Sequence, residues 1–184
     1  APSARVAAHW YAAGEWAGAG AAFAEAARRA GVASRRVEEA GLWGRAVDSH
    51  ERAGDRVAAF EARRCSVDAV LASRPISEAL ALTERLLADA QGDSERLAAL
   101  LVHAPVMLVS NRPDEAQAAA DEARVLAHAL ARPWDEFEAA RCAAVALAQQ
   151  RRADEGVPLL ERFATLVESQ GSLAQRFHYW SDLA

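Results

Sequence analysis

The stretch from Trp10 to Ala30 constrains the fold most, because it has the pattern of two helices folded back on each other. Gly14 ends the first helix at a position where glycine adopts a left-handed conformation at little cost. The second helix places Ala19, Phe23 and Ala26 on one stripe, since residues three and four apart share a helix face. A small side chain at Ala19 lets the two backbones approach. The stretch therefore predicts a helical hairpin suited to stacking.

The same packing chemistry recurs along the chain, as a helical repeat requires. Counted from a turn residue, a large apolar residue lies four positions before, a small residue five after and a further apolar residue twelve after. The predicted turn residues are Gly14, Gly41, Arg74, Asn111 and Arg151. The small residues are Ala19, Ala46, Ala79, Ala116 and Gly156. The preceding large residues are Trp10, Val37, Val70, Met107 and Leu147, and the further apolar residues are Ala26, Ala53, Leu86, Ala123 and Phe163. Five repeats are therefore expected.

Turn residues and prolines set the predicted helix limits. The first helices are expected at Pro2 to Ala13, Trp16 to Arg29, Ala33 to Glu39 (closed by Gly41), Trp43 to Ala53, and from an Asp55 N-cap to Ala72. Pro75, Pro113 and Pro133 are expected in first helical turns. Pro105 should kink or interrupt a helix from Ser94 to Ser110, either as a structural bend or to line a pocket. Pro158 predicts a helix start near Glu155, and a lone helix follows Gly171.

These motifs resemble the tetratricopeptide repeat (TPR) family. WYAAGEWAGAGAAFAEAA and GLWGRAVDSHERA carry the family's spacing of turn glycine, aromatic, small residue and alanine, and NRPDEAQAAADEA and RRADEGVPLLERF keep its acidic-then-small helix start. The steps between the small residues are about 27, 33, 37 and 40 residues, against 34 in the family. The resemblance implies an all-α, right-handed superhelical solenoid of antiparallel helix hairpins. About five repeats and a final helix would form one domain over residues 1–184.

Composition and charge fit a helical protein that does not bind nucleic acid directly. Helix-forming leucine, alanine, glutamate and arginine dominate, and alternating β-branched runs are missing. The net charge is −5, which disfavours contact with a nucleic-acid backbone. No membrane-spanning run or signal peptide is found. Cys65 and Cys142 are expected to be reduced and buried in a cytoplasmic protein, excised from a longer polypeptide.

No residue pattern indicates catalysis, a metal site or a cofactor. The five histidines lack the spacing that metal ligands on one helix need. No serine or cysteine lies in a nucleophile motif, and no glycine-rich phosphate loop follows a strand. Arginine pairs such as Arg28-Arg29 and Arg63-Arg64 fit helix ends and salt bridges better than a phosphate track. We expect no enzyme activity, no metal and no cofactor.

The function class that remains is recognition of a protein or peptide partner. By the resemblance, the first helix of each hairpin lines a concave groove. The expected groove residues are Arg5, Tyr11, Arg64, Asp68, Leu101, Leu108 and Arg141. A groove of mixed charge and apolar surface would suit a short amphipathic peptide or an adjoining domain, although these side chains could equally be solvated surface.

Phrases such as HWYAAGEWAGAGAAFAEAARRA and LAHALARPWDEFEAARCAAVALAQQRRADEGVPLLERF resemble the TPR-like region of large bacterial transcriptional activators with a signalling ATPase module. That resemblance implies a regulatory, signal-transducing role in transcription, in which the array binds an inducer or partner protein. The alternative is a free-standing TPR adaptor that assembles a protein complex. Apolar edges at the ends of the array could also form a homodimer.

Overall fold

The computed structural model describes residues 4–183, and eleven α-helices with no strand make up this part of the chain. The helices fall into two compact units, Ala1–Ala90 and Gln91–Ala184. The first unit contains α1 (Ala4–Ala12), α2 (Trp16–Val32), α3 (Arg36–Arg52), α4 (Arg56–Ser73) and α5 (Ile76–Asp89). The second contains α6 (Gly92–Val109), α7 (Pro113–Ala129), α8 (Pro133–Gln149), α9 (Ala153–Glu161), α10 (Ala164–Gln170) and α11 (Leu173–Leu183). The all-α prediction is confirmed, and the helix start predicted at Pro2 lies outside the described residues.

Within each unit, helices pack on their neighbours in sequence. In the first unit α1 packs on α2, α2 on α3, α3 on α4, and α4 on α5. In the second unit α6, α7, α8 and α9 follow the same order, and α6 also contacts α8. The last helix, α11, packs on α8 and α9. Each unit therefore buries its apolar residues mainly between helices that are close in sequence.

Six turns between helices share one geometry. The central residue of each turn has a positive φ; these residues are Gly14, Ser34, Gly54, Asn111, Ala131 and Arg151. In each turn the next amide donates to a carbonyl five residues earlier, as Glu15 does to Trp10 at 2.9 Å and Arg132 to Ala127 at 2.9 Å. This pattern is the Schellman motif, which satisfies carbonyl groups at a helix end. The turns recur about every 20 residues within each unit, so a hairpin repeats about every 40 residues.

The predicted turn at Gly41 is wrong. α3 runs without a break from Arg36 to Arg52, so the two short helices predicted on either side of Gly41 are one helix. Glycine in a helix costs about 1 kcal/mol, but buried Ala40, Trp43 and Ala46 on this helix supply packing that offsets it. As a consequence Val37 is exposed, and Ala53 lies exposed beyond the helix end and not on a packed second helix.

Two prolines lie inside helices. Pro105 does not interrupt α6, which continues to Val109, although proline has no amide to bond the carbonyl of Leu101. α9 begins at Ala153, earlier than predicted, and carries Pro158 in its interior.

Three other predicted helix starts are confirmed, whereas Pro75, expected in a first helical turn, is the N-cap residue before α5. Asp55 caps α4 by accepting a hydrogen bond from the Ala58 amide at 3.0 Å. Pro113 and Pro133 lie in the first turns of α7 and α8. The turn before Pro75 differs from the other turns, because Arg74 is extended (φ −133°), as a residue before proline prefers.

The five small repeat residues are all buried: Ala19, Ala46, Ala79, Ala116 and Gly156. Phe23, Ala26, Leu86, Ala123 and Phe163 are buried as well, whereas Trp10 is 38% exposed. A methyl group added to Gly156 would lie 3.1 Å from the Ala144 Cα. At Gly156, the absence of a side chain thus lies where two helices come close.

Candidate functional site

One concave site in the first unit is a cavity of about 250 Å³ between α2, α3 and α4. Its walls come from one face of each helix, because the lining residues are three, four or seven positions apart on each helix. The lining residues are Ala21, Ala24, Arg28, Trp43, His50, Ala58, Glu61, Ala62 and Cys65. Four alanine methyl groups and the indole make most of this surface apolar.

Each of the two charged side chains that line the cavity, Glu61 and Arg28, has a partner of opposite charge. Arg64 donates to Glu61 through Nε at 2.8 Å and Nη2 at 2.6 Å. These hydrogen bonds hold the pKa of Glu61 below its usual value, so the carboxylate is ionised at neutral pH. The Arg28 guanidinium lies 3.5 Å from Glu25 and 5.6 Å from the centroid of the Trp43 ring. The cavity therefore has little net charge.

Cys65 and His50 both line the cavity, but they do not form a nucleophile and base. The Cys65 thiol contacts Glu61 Oε1 at 3.4 Å, and burial raises the pKa of this thiol. Burial lowers the pKa of His50, and its buried Nδ1 has no hydrogen-bond partner. An activated cysteine needs the opposite pKa shift and a hydrogen-bonded base. This arrangement suits binding of a small apolar group better than covalent chemistry.

The predicted groove residues of the first unit lie on two helices. Arg5 and Tyr11 are on α1, whereas Arg64 and Asp68 are on α4. The sequence pattern predicts Arg64 and Asp68 on the fifth helix of the chain, counted as the first helix of a hairpin. Because α3 is one helix where two were predicted, α4 is the fourth helix, and this count no longer makes it the first helix of a hairpin. Their role in a shared groove stays a prediction.

Tyr11 takes part in a contact between α1, α2 and α3. Its hydroxyl donates to Asp48, and its ring lies 4.8 Å from the Trp16 ring, edge to face. The Arg52 guanidinium donates to Asp48 and lies 5.4 Å from the Tyr11 ring centroid. The hydrogen bond from Tyr11 lowers the pKa of Asp48. These contacts give Tyr11 a structural role in joining three helices.

In the second unit, the predicted groove residues Leu101 and Leu108 lie on α6 and Arg141 lies on α8. All three are half-buried, and Arg141 donates to Glu138 at 2.8 Å on its own helix. Since α6 contacts α8, these residues lie on adjoining helices.

An ion-pair network around one buried arginine, Arg63, was not predicted from the sequence; its carboxylate partners Glu51 and Asp89 are exposed. Arg63 on α4 is 5% exposed and donates to Glu51 on α3 at 2.5 Å and to Asp89 on α5 at 2.8 Å. Arg85 also contacts both carboxylates, at 3.1 and 3.5 Å. The sequence shows these residues only as separate charges, so their convergence depends on how α3, α4 and α5 pack.

Gly20 provides room for His50, which gives a testable prediction. A methyl group at Gly20 would lie 2.7 Å from the His50 ring, whereas nothing lies within 4 Å of one at Gly41. We expect Gly20→Ala to lower the free energy of unfolding by about 1 kcal/mol, because overpacking outweighs the gain in helix propensity. The control Gly41→Ala should raise it by about 1 kcal/mol. Urea unfolding measures both, and stabilisation of similar size in the two variants would contradict the packing.

Cys142 should be slow to alkylate. Burial raises the pKa of this thiol to about 12, so at pH 8 far less thiolate is present than for a free cysteine. We expect iodoacetamide to modify Cys142 about a thousandfold more slowly in the folded chain than in denaturing urea, followed by peptide mass spectrometry. A difference below tenfold would contradict this environment.

Residues 4–183 contain no cluster of three or more side chains able to hold a metal ion. No helix in that range is long and apolar enough to cross a bilayer. A scan against protein-family models finds no match to this chain, and a search of curated proteins finds none either.

Proposed function

We propose that this chain is a non-catalytic, protein-binding scaffold of TPR-like helix hairpins, arranged as a right-handed solenoid. The observation that carries the proposal is the repeated Schellman turn about every 20 residues, with a buried small residue on the following helix. The hairpin of about 40 residues exceeds the 34 of a regular TPR because α2, α3 and α4 have 17 or 18 residues.

The α2–α4 cavity supports a partner-binding role. Its apolar walls and paired charges match an apolar side chain presented by an amphipathic peptide or an adjoining domain. The raised pKa of Cys65 and the lowered pKa of His50 favour binding over catalysis.

The narrower proposal is that the scaffold belongs to a bacterial transcriptional activator and couples partner binding to its output. Its support is the resemblance of the alanine- and arginine-rich segments of this chain to the TPR-like region of such activators. Coupling of this kind requires the partner to bind two states of the protein with different affinity.

A photo-crosslinking experiment in the source organism tests the scaffold. The chromosomal gene would carry p-benzoylphenylalanine at Ala21, on the cavity wall, or at Ala81, an exposed position of α5 that does not line the cavity. We expect a discrete protein to crosslink at Ala21 and not at Ala81. Equal, diffuse crosslinking at both positions would overturn the proposed binding site.

The regulatory role has a separate test in the same strain. Ala21→Trp should block the cavity, so that a crosslinker placed at a neighbouring position no longer captures the partner. It should also change a defined set of transcripts. Ala81→Trp should leave both the crosslink and the transcripts unchanged. Loss of the partner with unchanged transcripts would retain the scaffold and overturn the regulator in favour of the adaptor.

A further inference from the structure

The last helix, α11, presents an apolar stripe on the side away from the core. Leu173, Phe177 and Trp180 are 86%, 70% and 55% exposed. They are four and three residues apart, so they share one face of the helix. Tyr179, on a neighbouring face, is 2% exposed; its ring centroid lies 6.2 Å from that of Phe137 of α8 and 5.1 Å from that of Trp180. The contacts of Tyr179 thus fix which face of α11 remains uncovered.

This stripe differs from other exposed apolar residues in the described part of the chain. Elsewhere such residues are mainly single valines, as at Val32, Val37 and Val125, which is normal for a protein surface. The described residues that line the open surface beside the stripe all belong to α11. No other helix among residues 4–183 therefore supplies a second wall, and a contiguous apolar patch of this kind marks an interaction surface.

We propose that the α11 stripe binds the α11 stripe of a second copy, forming a two-fold symmetric homodimer. An apolar stripe is complementary to itself, and an isologous contact uses one surface twice. Two aromatic side chains and one leucine would bury about 400 Å² in each copy, so about 800 Å² in the pair. A contact of about 800 Å² lies at the small end of protein–protein interfaces, where dimers are weak and reversible. The dissociation constant should therefore be in the micromolar range or weaker.

Sedimentation velocity of the purified chain from about 1 to 200 μM tests the dimer. We expect a concentration-dependent shift from monomer to dimer in the unaltered chain. Phe177→Glu and, separately, Leu173→Glu should each weaken self-association at least tenfold, because a carboxylate would lie in the apolar contact. Both residues are largely exposed, so circular dichroism should show unchanged helix content.

Val125→Glu is the matched control, since Val125 is 69% exposed on α7 and lies outside the stripe. This variant should dimerise like the unaltered chain. The proposal is overturned by a monomer at every concentration, by dimerisation that survives both stripe variants, or by equal loss in the control.

Discussion

Replacing Phe137 with alanine should lower the free energy of unfolding by about 3–5 kcal/mol. Phe137 is 0% exposed at the centre of the aromatic core of the second unit. Its ring lies 5.6 Å from that of Phe163 on the α9–α10 side, 6.2 Å from Tyr179 and 5.8 Å from Trp134. Truncation removes the hydrophobic transfer free energy of the ring and leaves a void among side chains from three helices. Urea unfolding followed by circular dichroism measures the loss.

The matched control is Phe177→Ala, which removes the same ring from an exposed position of the same unit. At a protein concentration where the chain is monomeric, we expect it to change the free energy of unfolding by less than about 0.5 kcal/mol. If the two variants unfolded alike, Phe137 would not be the centre of the core.

The double variant Glu51→Gln/Asp89→Asn should lower the free energy of unfolding by about 3 kcal/mol. Both changes preserve shape and remove the carboxylate charges that pair with Arg63. Because the Arg63 side chain is only 6% exposed, its charge is poorly hydrated once the carboxylate charges are removed. An uncompensated buried charge is therefore left between α3, α4 and α5.

Glu78→Gln/Glu115→Gln is the matched control for charge. It also removes two carboxylates, but both pair with exposed arginines, Arg74 and Arg112, that lie three or four residues earlier in the chain. We expect a loss below about 1 kcal/mol. A loss as large as that of the first double variant would show that the charge balance of the whole chain, not burial of Arg63, sets the effect.

Local sequence signals predicted a helix start correctly where the tertiary packing favours the same start. Asp55, Pro113 and Pro133 start helices because capping and proline geometry act within one turn of the chain. Gly41 misled the prediction, because the packing of Trp43 and its neighbours outweighs the propensity of one glycine.

The helix break predicted between Arg29 and Ala33 lies later, because α2 runs to Val32 and the turn is centred on Ser34. The turn before Pro133 is centred on Ala131, which the sequence did not single out. A left-handed conformation costs residues other than glycine about 1 kcal/mol or more, which the tertiary structure must offset. The regular interval from Gly14 to Gly54, and from Asn111 to Arg151, is the signal that would have located both turns.

The α2–α4 cavity and the Arg63 network could not be predicted from sequence for a different reason. Each joins side chains from three helices, and their meeting depends on helix rotation and register. Arg64, a predicted groove residue, does lie beside the cavity through its bond to Glu61. Arg64 does not itself line the cavity, and its place in a groove stays a prediction.

The free energies of unfolding of Ala116→Leu and Ala118→Leu test most directly whether small buried residues let the helices stack. Both residues lie on α7, but Ala116 is 0% exposed and Ala118 faces solvent. Close stacking predicts a loss of about 1–3 kcal/mol for Ala116→Leu and a change within about 0.5 kcal/mol for Ala118→Leu. Equal stability of the two variants would contradict the account.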